Sequence, residues 1–135
     1  MSRALAAGLF YGLLIFGIGF ILGTLRELVL APLIGRDAVV VIETPVILLA
    51  AWFAAWWLIR RLGVPAQAGA RLAMGALAFA VLMAGEALVA TLGFGRGLAA
   101  HLAAYATQRG VLELLPQIAF ALLPLLHLFR QRSLT

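Results

Sequence analysis

The sequence predicts an all-α, polytopic membrane protein: a bundle of four transmembrane helices with a short interfacial helix between the third and the fourth. The first observation is composition. The 135 residues are 65% hydrophobic and 11% charged, with a mean hydropathy of +1.13, whereas soluble domains are about half apolar and about a quarter charged. The second is that the chain contains four apolar segments, each near the roughly 20 residues that a helix needs to cross a hydrocarbon core of about 30 Å. Only short polar stretches separate these segments, which predicts a single membrane domain over residues 1–135.

The four segments are predicted at about residues 5–30, 39–59, 72–92 and 111–129. The first is too long for a cleavable signal peptide and lacks a small-residue cleavage site, so we expect a retained helix. The fourth contains Pro116 and Pro124, which predict a kink.

The start of the second helix has two possible positions. Thr44 followed by Pro45 fits an N-cap with proline at the first helical position, so this helix begins either near Val39 or at Pro45. A later start would put Glu43 at the membrane boundary.

The link between the third and fourth segments, residues 93–110, is too polar and glycine-rich to span a membrane. Within it, residues 98–105 place Leu98, Leu102 and Tyr105 on one side. That pattern is typical of a short helix lying in the membrane interface.

Arginine positions predict the orientation. The side shared by both termini carries six arginines against four on the other, and basic residues concentrate on the cytoplasmic side. We therefore expect a multi-pass protein of the bacterial inner membrane with both termini in the cytoplasm. Trp56 and Trp57 beside Arg60 and Arg61 are typical interface anchors. The six arginines are Arg3, Arg60, Arg61, Arg71, Arg130 and Arg132, and the four are Arg26, Arg36, Arg96 and Arg109.

A glycine stripe runs along the first segment. At 100° per residue, Gly8, Gly12, Gly19 and Gly23 lie on one face that ends at Arg26. Small residues at such spacing let helices approach closely. The stripe therefore predicts close packing, either within this chain or onto another subunit.

A layer of polar residues is predicted in the outer half of the bundle. Counting a rise of 1.5 Å per residue along each helix places one charged residue of every helix, together with Gln117, at the same height. Intramembrane charges are costly unless they are paired or reach water. Arg26 is the one deep cation, so Glu43 or Glu86 is its expected partner. The cluster is interpreted either as a structural network or as a proton or ligand site. It comprises Arg26, Glu43, Glu86, Glu113 and Gln117.

Several functional classes find no support in the sequence. The absence of cysteine excludes disulfides and thiolate metal sites. His101 and His127 lie toward opposite surfaces and neither has a second histidine nearby, so we expect no metal and no haem; His127 is interpreted as an interface residue. Gly93, Gly95 and Gly97 follow a helix rather than a strand, unlike a phosphate-binding loop. We expect no enzyme, no cofactor and no nucleic-acid partner, and we interpret the net charge of +5 as a topology signal.

The run Gly23-Thr24-Leu25-Arg26, with Pro32 after it and the triplet Glu43-Thr44-Pro45 opening the next helix, resembles a set of small four-helix integral membrane proteins of proteobacteria to which no function is assigned. The resemblance covers most of the chain through short motifs. It implies a four-helix fold and points to Gly23, Arg26, Glu43 and Pro45 as positions to test. It implies no substrate, cofactor or partner.

Three functions remain open. The chain is expected to be a structural or accessory subunit that packs against other membrane helices or against itself. The alternative is a small oligomeric channel or transporter for protons or cations that uses the outer polar residues. A further alternative is binding of a lipid or a quinone in the grooves that the glycines leave open. A conduit needs polar groups along its whole length, and the inner half of the predicted bundle offers chiefly apolar residues, with Tyr11 the main exception. This favours the accessory subunit.

Overall fold

The computed structural model describes residues 2–93, 95, 97–104 and 106–134, without the side chains of residues 36, 108, 109, 112, 133 and 134. Regular structure in these ranges is entirely helical. Arg96 and Tyr105, which entered the predicted orientation and the predicted interfacial helix, lie outside the described residues, as do the side chains of Arg36 and Arg109.

Four long helices correspond to the four predicted segments. The first is α1 (Ser2–Leu25), continued by a π turn (Arg26–Leu30) and by α2 (Ala31–Ile34). Then come α3 (Arg36–Leu62), α4 (Ala68–Leu88) with a second π turn (Val89–Gly93), the short α5 (Leu98–Ala104) and α6 (Gln108–Leu134). The stretches long and apolar enough to cross a membrane are Ser2–Ile34, Asp37–Leu62, Ala68–Gly93 and Glu113–Arg132.

Two glycines end helices where other residues would be strained. Gly35 has φ of 90° between α2 and α3, and Gly63 has φ of 66° at the end of α3. Such backbone angles favour glycine because it has no Cβ. Glycine therefore suits both turns. With the π turns and α2 included, each of the four helical stretches extends further than its predicted segment.

Of the two possible starts of the second helix, the later one, with an N-cap at Thr44, is wrong, and the observed start lies near the earlier one at Val39. α3 begins at Arg36, and Pro45 lies inside it. The Thr44 hydroxyl donates to the carbonyl oxygen of Val40, one turn earlier, at 2.8 Å, as a threonine inside a helix can do. Glu43 therefore lies two turns inside α3 rather than at its boundary.

The four long helices form a ring in the order α1, α3, α6, α4, in which each packs against its two neighbours. The helix pairs α1/α6 and α3/α4 are therefore diagonal. The short link 63–67 joins a diagonal pair beneath the bundle, which explains why Val64 is buried although it lies in a turn. We call this end, which also holds residues 2 and 134, the inner end, and the opposite end the outer end.

The core consists of small and aromatic residues near the middle and inner part of the ring. α1 approaches α4 most closely at Gly8 and Gly12, where an added Cβ would lie 2.6 Å from the Met74 carbonyl oxygen and 2.8 Å from that of Ala78. α4 approaches α6 at Gly75, directly against the Ala121 carbonyl. Buried residues around these contacts include Ala4, Ala7, Tyr11, Ala51, Ala55, Met74, Ala78, Leu82 and Phe120.

The glycine stripe packs along only part of its length. An added Cβ at Gly19 would meet nothing within 4 Å, and one at Gly23 would meet only the Arg26 side chain of its own segment. α1 therefore packs closely against α4 at Gly8 and Gly12, whereas an added Cβ at Gly19 or Gly23 would meet no other helix within 4 Å.

Candidate functional site

The predicted outer polar residues begin with an ion pair between α3 and the segment that follows α1. The Nη1 atom of Arg26 donates to Oε2 of Glu43 at 2.6 Å. Arg26 is the first residue of the first π turn, and Glu43 projects from the second turn of α3. Glu43 is one of the two partners that the sequence predicted for Arg26.

Glu27 adds a second, weaker contact to the same arginine. Its Oε1 atom lies 3.4 Å from Nε of Arg26. The Arg26 and Glu43 side chains are 24% and 14% exposed, whereas that of Glu27 is 48% exposed. Solvent weakens exposed pairs far more than buried ones, so Glu43 supplies most of the electrostatic stabilisation of Arg26.

Glu86 accepts a hydrogen bond from the side-chain amide of Gln117. Nε2 of Gln117 on α6 donates to Oε1 of Glu86 on α4 at 2.7 Å. Two buried acceptors remain at this level: Oε1 of Glu43 and Oε1 of Gln117 have no hydrogen-bond partner among the described residues. A buried acceptor without a donor is costly, so both atoms offer a place for a proton, a water or a cation.

Glu113 belongs to the same level by position. It is half-buried on α6, one turn before Gln117, and no hydrogen bond or ion pair joins it to another described side chain. The structure thus brings together Arg26 with Glu43 and Glu86 with Gln117, and leaves Glu113 beside them.

Two π turns lie at the level of these pairs. One begins at Arg26 and the other at Val89, three residues after Glu86. A π turn inserts an extra residue into a helix and is frequent at functional sites. Neither π turn was predicted from the sequence.

Sequence reasoning missed a second polar cluster at the inner end, centred on Arg71. This guanidinium is 1% exposed. It donates to the carbonyl oxygens of Pro65 and Pro124, each at 3.2 Å, and to Oε1 of Gln131 at 2.9 Å. Arg71 therefore ties the link 63–67 and α4 to the end of α6.

His127 is the second buried member of this inner cluster. It is 3% exposed, and its ring stacks on the Trp52 ring with centroids 3.7 Å apart. Nε2 of His127 lies 2.9 Å from the Trp52 carbonyl oxygen. Because a carbonyl oxygen only accepts, Nε2 carries a hydrogen. His127 is therefore packed between α3 and α6, and its position at the membrane interface stays a prediction.

Longer predicted helices would have placed Arg71 and His127 inside the bundle and so indicated this cluster. Arg71 is the fourth residue of α4, and His127 lies seven residues before the end of α6. The predicted segments began at residue 72 and ended at residue 129, which put both side chains at a helix end. Their partners are mostly backbone carbonyls, which no residue pattern marks.

The predicted interface anchors lie at the same inner end. Trp56, Trp57, Arg60 and Arg61 are exposed near the end of α3. The guanidinium carbon of Arg60 lies 4.9 Å from the centre of the Trp56 ring, within the range of a cation–π contact.

In the described part of the bundle, one side-chain hydrogen bond crosses the apolar middle between α1 and α6. The hydroxyl of buried Tyr11 donates to the Phe120 carbonyl oxygen at 2.8 Å. That carbonyl would normally accept from the backbone N–H four residues later, but residue 124 is proline and has none. Tyr11 replaces the missing donor from the opposite side of the ring.

The two polar clusters offer acceptors and donors for protons or small ions. Among the described residues, no group of three or more histidine, aspartate or glutamate side chains could hold a metal ion. The outer pairs could exchange a proton or hold a cation at the two free acceptors, and the inner arginines could hold an anion. The chain has no detectable similarity to a protein-family model, to a curated protein or to a solved structure.

Proposed function

We propose that the protein is a non-enzymatic integral membrane protein of the bacterial inner membrane, with both termini in the cytoplasm and α5 in the outer interface. Its role in this proposal is that of a structural or accessory subunit, which packs against other membrane helices. The four helices long and apolar enough to cross a membrane support the location. The exposed leucines of α5, Leu98 and Leu102, support its contact with lipid.

The main support for the accessory role is the outer part of the glycine stripe, which no other helix covers among the described residues. Gly8, Gly12 and Gly19 lie on one face of α1, and the first two bring α4 close while Gly19 faces open space. Bare backbone of this kind lets another helix approach closely. The outer half of α1 therefore has the same surface that the inner half uses for packing.

The closed middle of the bundle argues against a conduit through a single copy. Between the outer pairs and Arg71 lie the close contacts at Gly8, Gly12 and Gly75, and the Tyr11 hydroxyl is already bonded. A pathway for ions needs polar groups or water along its whole length. The two polar clusters are separated by tightly packed backbone.

A small oligomeric proton or cation channel or transporter is the second candidate. It is favoured by the buried acceptors Oε1 of Glu43 and Oε1 of Gln117. In this case the pathway would run between copies of the chain, and the outer pairs would bind the ion. Binding of a lipid or quinone at Gly19 is the third.

The deciding experiment compares wild type with Gly19→Leu after purification in a mild detergent. We expect wild type in an assembly larger than the monomer by light scattering, and Gly19→Leu as the monomer. Gly69→Leu is the matched control, because Gly69 lies on α4 and an added Cβ there also meets nothing within 4 Å; it should keep the assembly.

Recovery of wild type only as a monomer would contradict the accessory role. Recovery as a homo-oligomer that carries protons or cations across liposomes, with flux lost in Glu43→Gln, would establish the second candidate instead. A monomer with a bound lipid or quinone that is lost in Gly19→Leu would establish the third.

A further inference from the structure

An open cavity of about 290 Å³ lies on the surface of α3 near its inner end. Four residues of this one helix line it: Trp56, Trp57, Arg60 and Arg61. Each tryptophan precedes an arginine by four residues, so each arginine lies one helical turn beyond a tryptophan on the same face. All four side chains are exposed, and the cavity is therefore accessible from outside the bundle.

The two arginines of this cavity carry a charge that no acidic side chain neutralises. Among the described residues, neither Arg60 nor Arg61 forms an ion pair. The sequence has no aspartate or glutamate between Glu43 and Glu86, both of which belong to the outer polar residues. The carbonyls at the end of a helix amount to about half a negative charge, which two guanidinium groups outweigh. The cavity is thus net positive.

Trp56 restricts Arg60 without using its hydrogen-bond donors. The guanidinium carbon of Arg60 lies 4.9 Å from the centre of the Trp56 ring. Stacking uses the face of a guanidinium, whereas the N–H groups at its edge bind phosphate oxygens. Within the described part of the chain, Arg60 and Arg61 donate no hydrogen bond to another residue. Their N–H groups are therefore available to an anion.

A row of exposed apolar side chains leads along α3 to the cavity. At about 100° per residue, the four members of this apolar row and Arg60 fall within about 60° of one another. From Phe53 to Ile42 the helix rises about 16 Å, close to the roughly 15 Å of one leaflet of the hydrocarbon core. The same face of α3 thus offers an acyl chain a surface about one leaflet long that ends at the arginines. The apolar row consists of Ile42, Val46, Leu49 and Phe53.

We infer that the cavity binds the phosphate of an anionic phospholipid and that an acyl chain of the same lipid lies along the apolar row. The planar fork of an arginine matches two phosphate oxygens, and two adjacent arginines favour a headgroup with a net negative charge. Tryptophans beside basic residues mark the level of the headgroups. The cytoplasmic leaflet, which the proposed topology assigns to the inner end, contains anionic lipids.

Lipid binding at this cavity rests on the proposed location in the membrane and not on the accessory role. It would therefore survive recovery of the chain as a monomer, and the two proposals can fail separately.

The test uses the full chain in a non-ionic detergent at about 0.15 M salt and counts bound lipid by native mass spectrometry. The probes are phosphatidylglycerol, phosphatidylcholine and inorganic phosphate. Wild type should bind phosphatidylglycerol in preference to the other two. Arg60→Gln/Arg61→Gln should weaken that binding roughly 25-fold, at about fivefold for each arginine.

The matched control is Arg3→Gln/Arg132→Gln. It also removes two positive charges from the inner end, at the start of α1 and near the end of α6, and neither residue lines the cavity. It should change the affinity by less than about twofold, because salt screens exposed charges that do not touch the headgroup.

Equal losses in the two double variants would overturn the site, because general attraction to a basic end would then explain the binding. No preference for phosphatidylglycerol over phosphatidylcholine, or binding of inorganic phosphate as tight as that of the lipid, would overturn the assignment to an anionic lipid.

Discussion

Replacing Tyr11 by Phe removes one hydroxyl from the centre of the bundle and tests the tie between its diagonal helices. The Phe120 carbonyl then loses its donor, because Pro124 supplies none. An unsatisfied buried acceptor costs about 1–3 kcal/mol, and interhelical hydrogen bonds in membrane bundles contribute at most about 1.7 kcal/mol. We expect Tyr11→Phe to lower the free energy of unfolding by about 1.5 kcal/mol.

The loss of unfolding free energy caused by Tyr11→Phe should depend on Pro124. In a Pro124→Ala background, residue 124 has an N–H that can bond to the Phe120 carbonyl, as in an ordinary helix. Tyr11→Phe should then cost about 0.5 kcal/mol or less, which gives a coupling energy of about 1 kcal/mol in a double-mutant cycle. Pro116→Ala is the control in the same helix, and in that background the cost of Tyr11→Phe should stay at about 1.5 kcal/mol.

The measurement is equilibrium unfolding in mixed detergent micelles with increasing dodecyl sulfate, followed by tryptophan fluorescence and by helical circular dichroism. Coincident transitions from the two signals would justify a two-state treatment. If Tyr11→Phe costs the same in the Pro124→Ala, Pro116→Ala and wild-type backgrounds, the reasoning from the missing helical donor is refuted.

Two further predictions concern the outer ion pair and the closest helix contact. Arg26→Gln leaves the largely buried Glu43 without its cation and should lower the free energy of unfolding by about 1–3 kcal/mol. Glu27→Gln, at the half-exposed partner, should change that free energy by less than about 0.5 kcal/mol. An unchanged melting curve for Arg26→Gln in detergent would remove Arg26 from the core network. Gly75→Ala pushes a methyl group into the Ala121 carbonyl and should destabilise the bundle by about 1–3 kcal/mol, while Gly69→Ala, which meets no neighbour, should be neutral or stabilising by up to about 1 kcal/mol. Equal effects of the two glycine substitutions on the unfolding midpoint would contradict the close approach of α4 and α6.

The outer polar residues were accessible from the sequence because depth is a one-dimensional quantity. Counting 1.5 Å per residue places Arg26 and Glu43 at similar heights whatever the order of the helices around the ring. Choosing between Glu43 and Glu86 as the partner requires that order, and the sequence does not contain it. The π turn at Arg26 also shifts the faces of the residues beyond it, which a fixed 100° per residue does not take into account.

The inner cluster could not be predicted in the same way. The hydrogen-bond partners of Arg71 and His127 are mainly the carbonyls of Pro65, Pro124 and Trp52, and every residue has a carbonyl. Similarly, Gly12 and Gly19 are equivalent in the sequence pattern, yet only Gly12 contacts α4. That difference arises from the path of α4 relative to α1, which is set by the packing of the whole bundle.

The diagonal placement of α1 and α6 also has a consequence for synthesis. α1 is made first, but the backbone that covers Gly8 and Gly12 is made only with α4, and the carbonyl that accepts from Tyr11 only with residue 120. α1 therefore keeps a bare surface until α4, the third long helix, is made, and its Tyr11 hydroxyl lacks the Phe120 acceptor until α6, the fourth, is made. Closure of the ring is then a late event that depends on α6, and a chain interrupted before residue 120 would leave the Tyr11 hydroxyl without its acceptor.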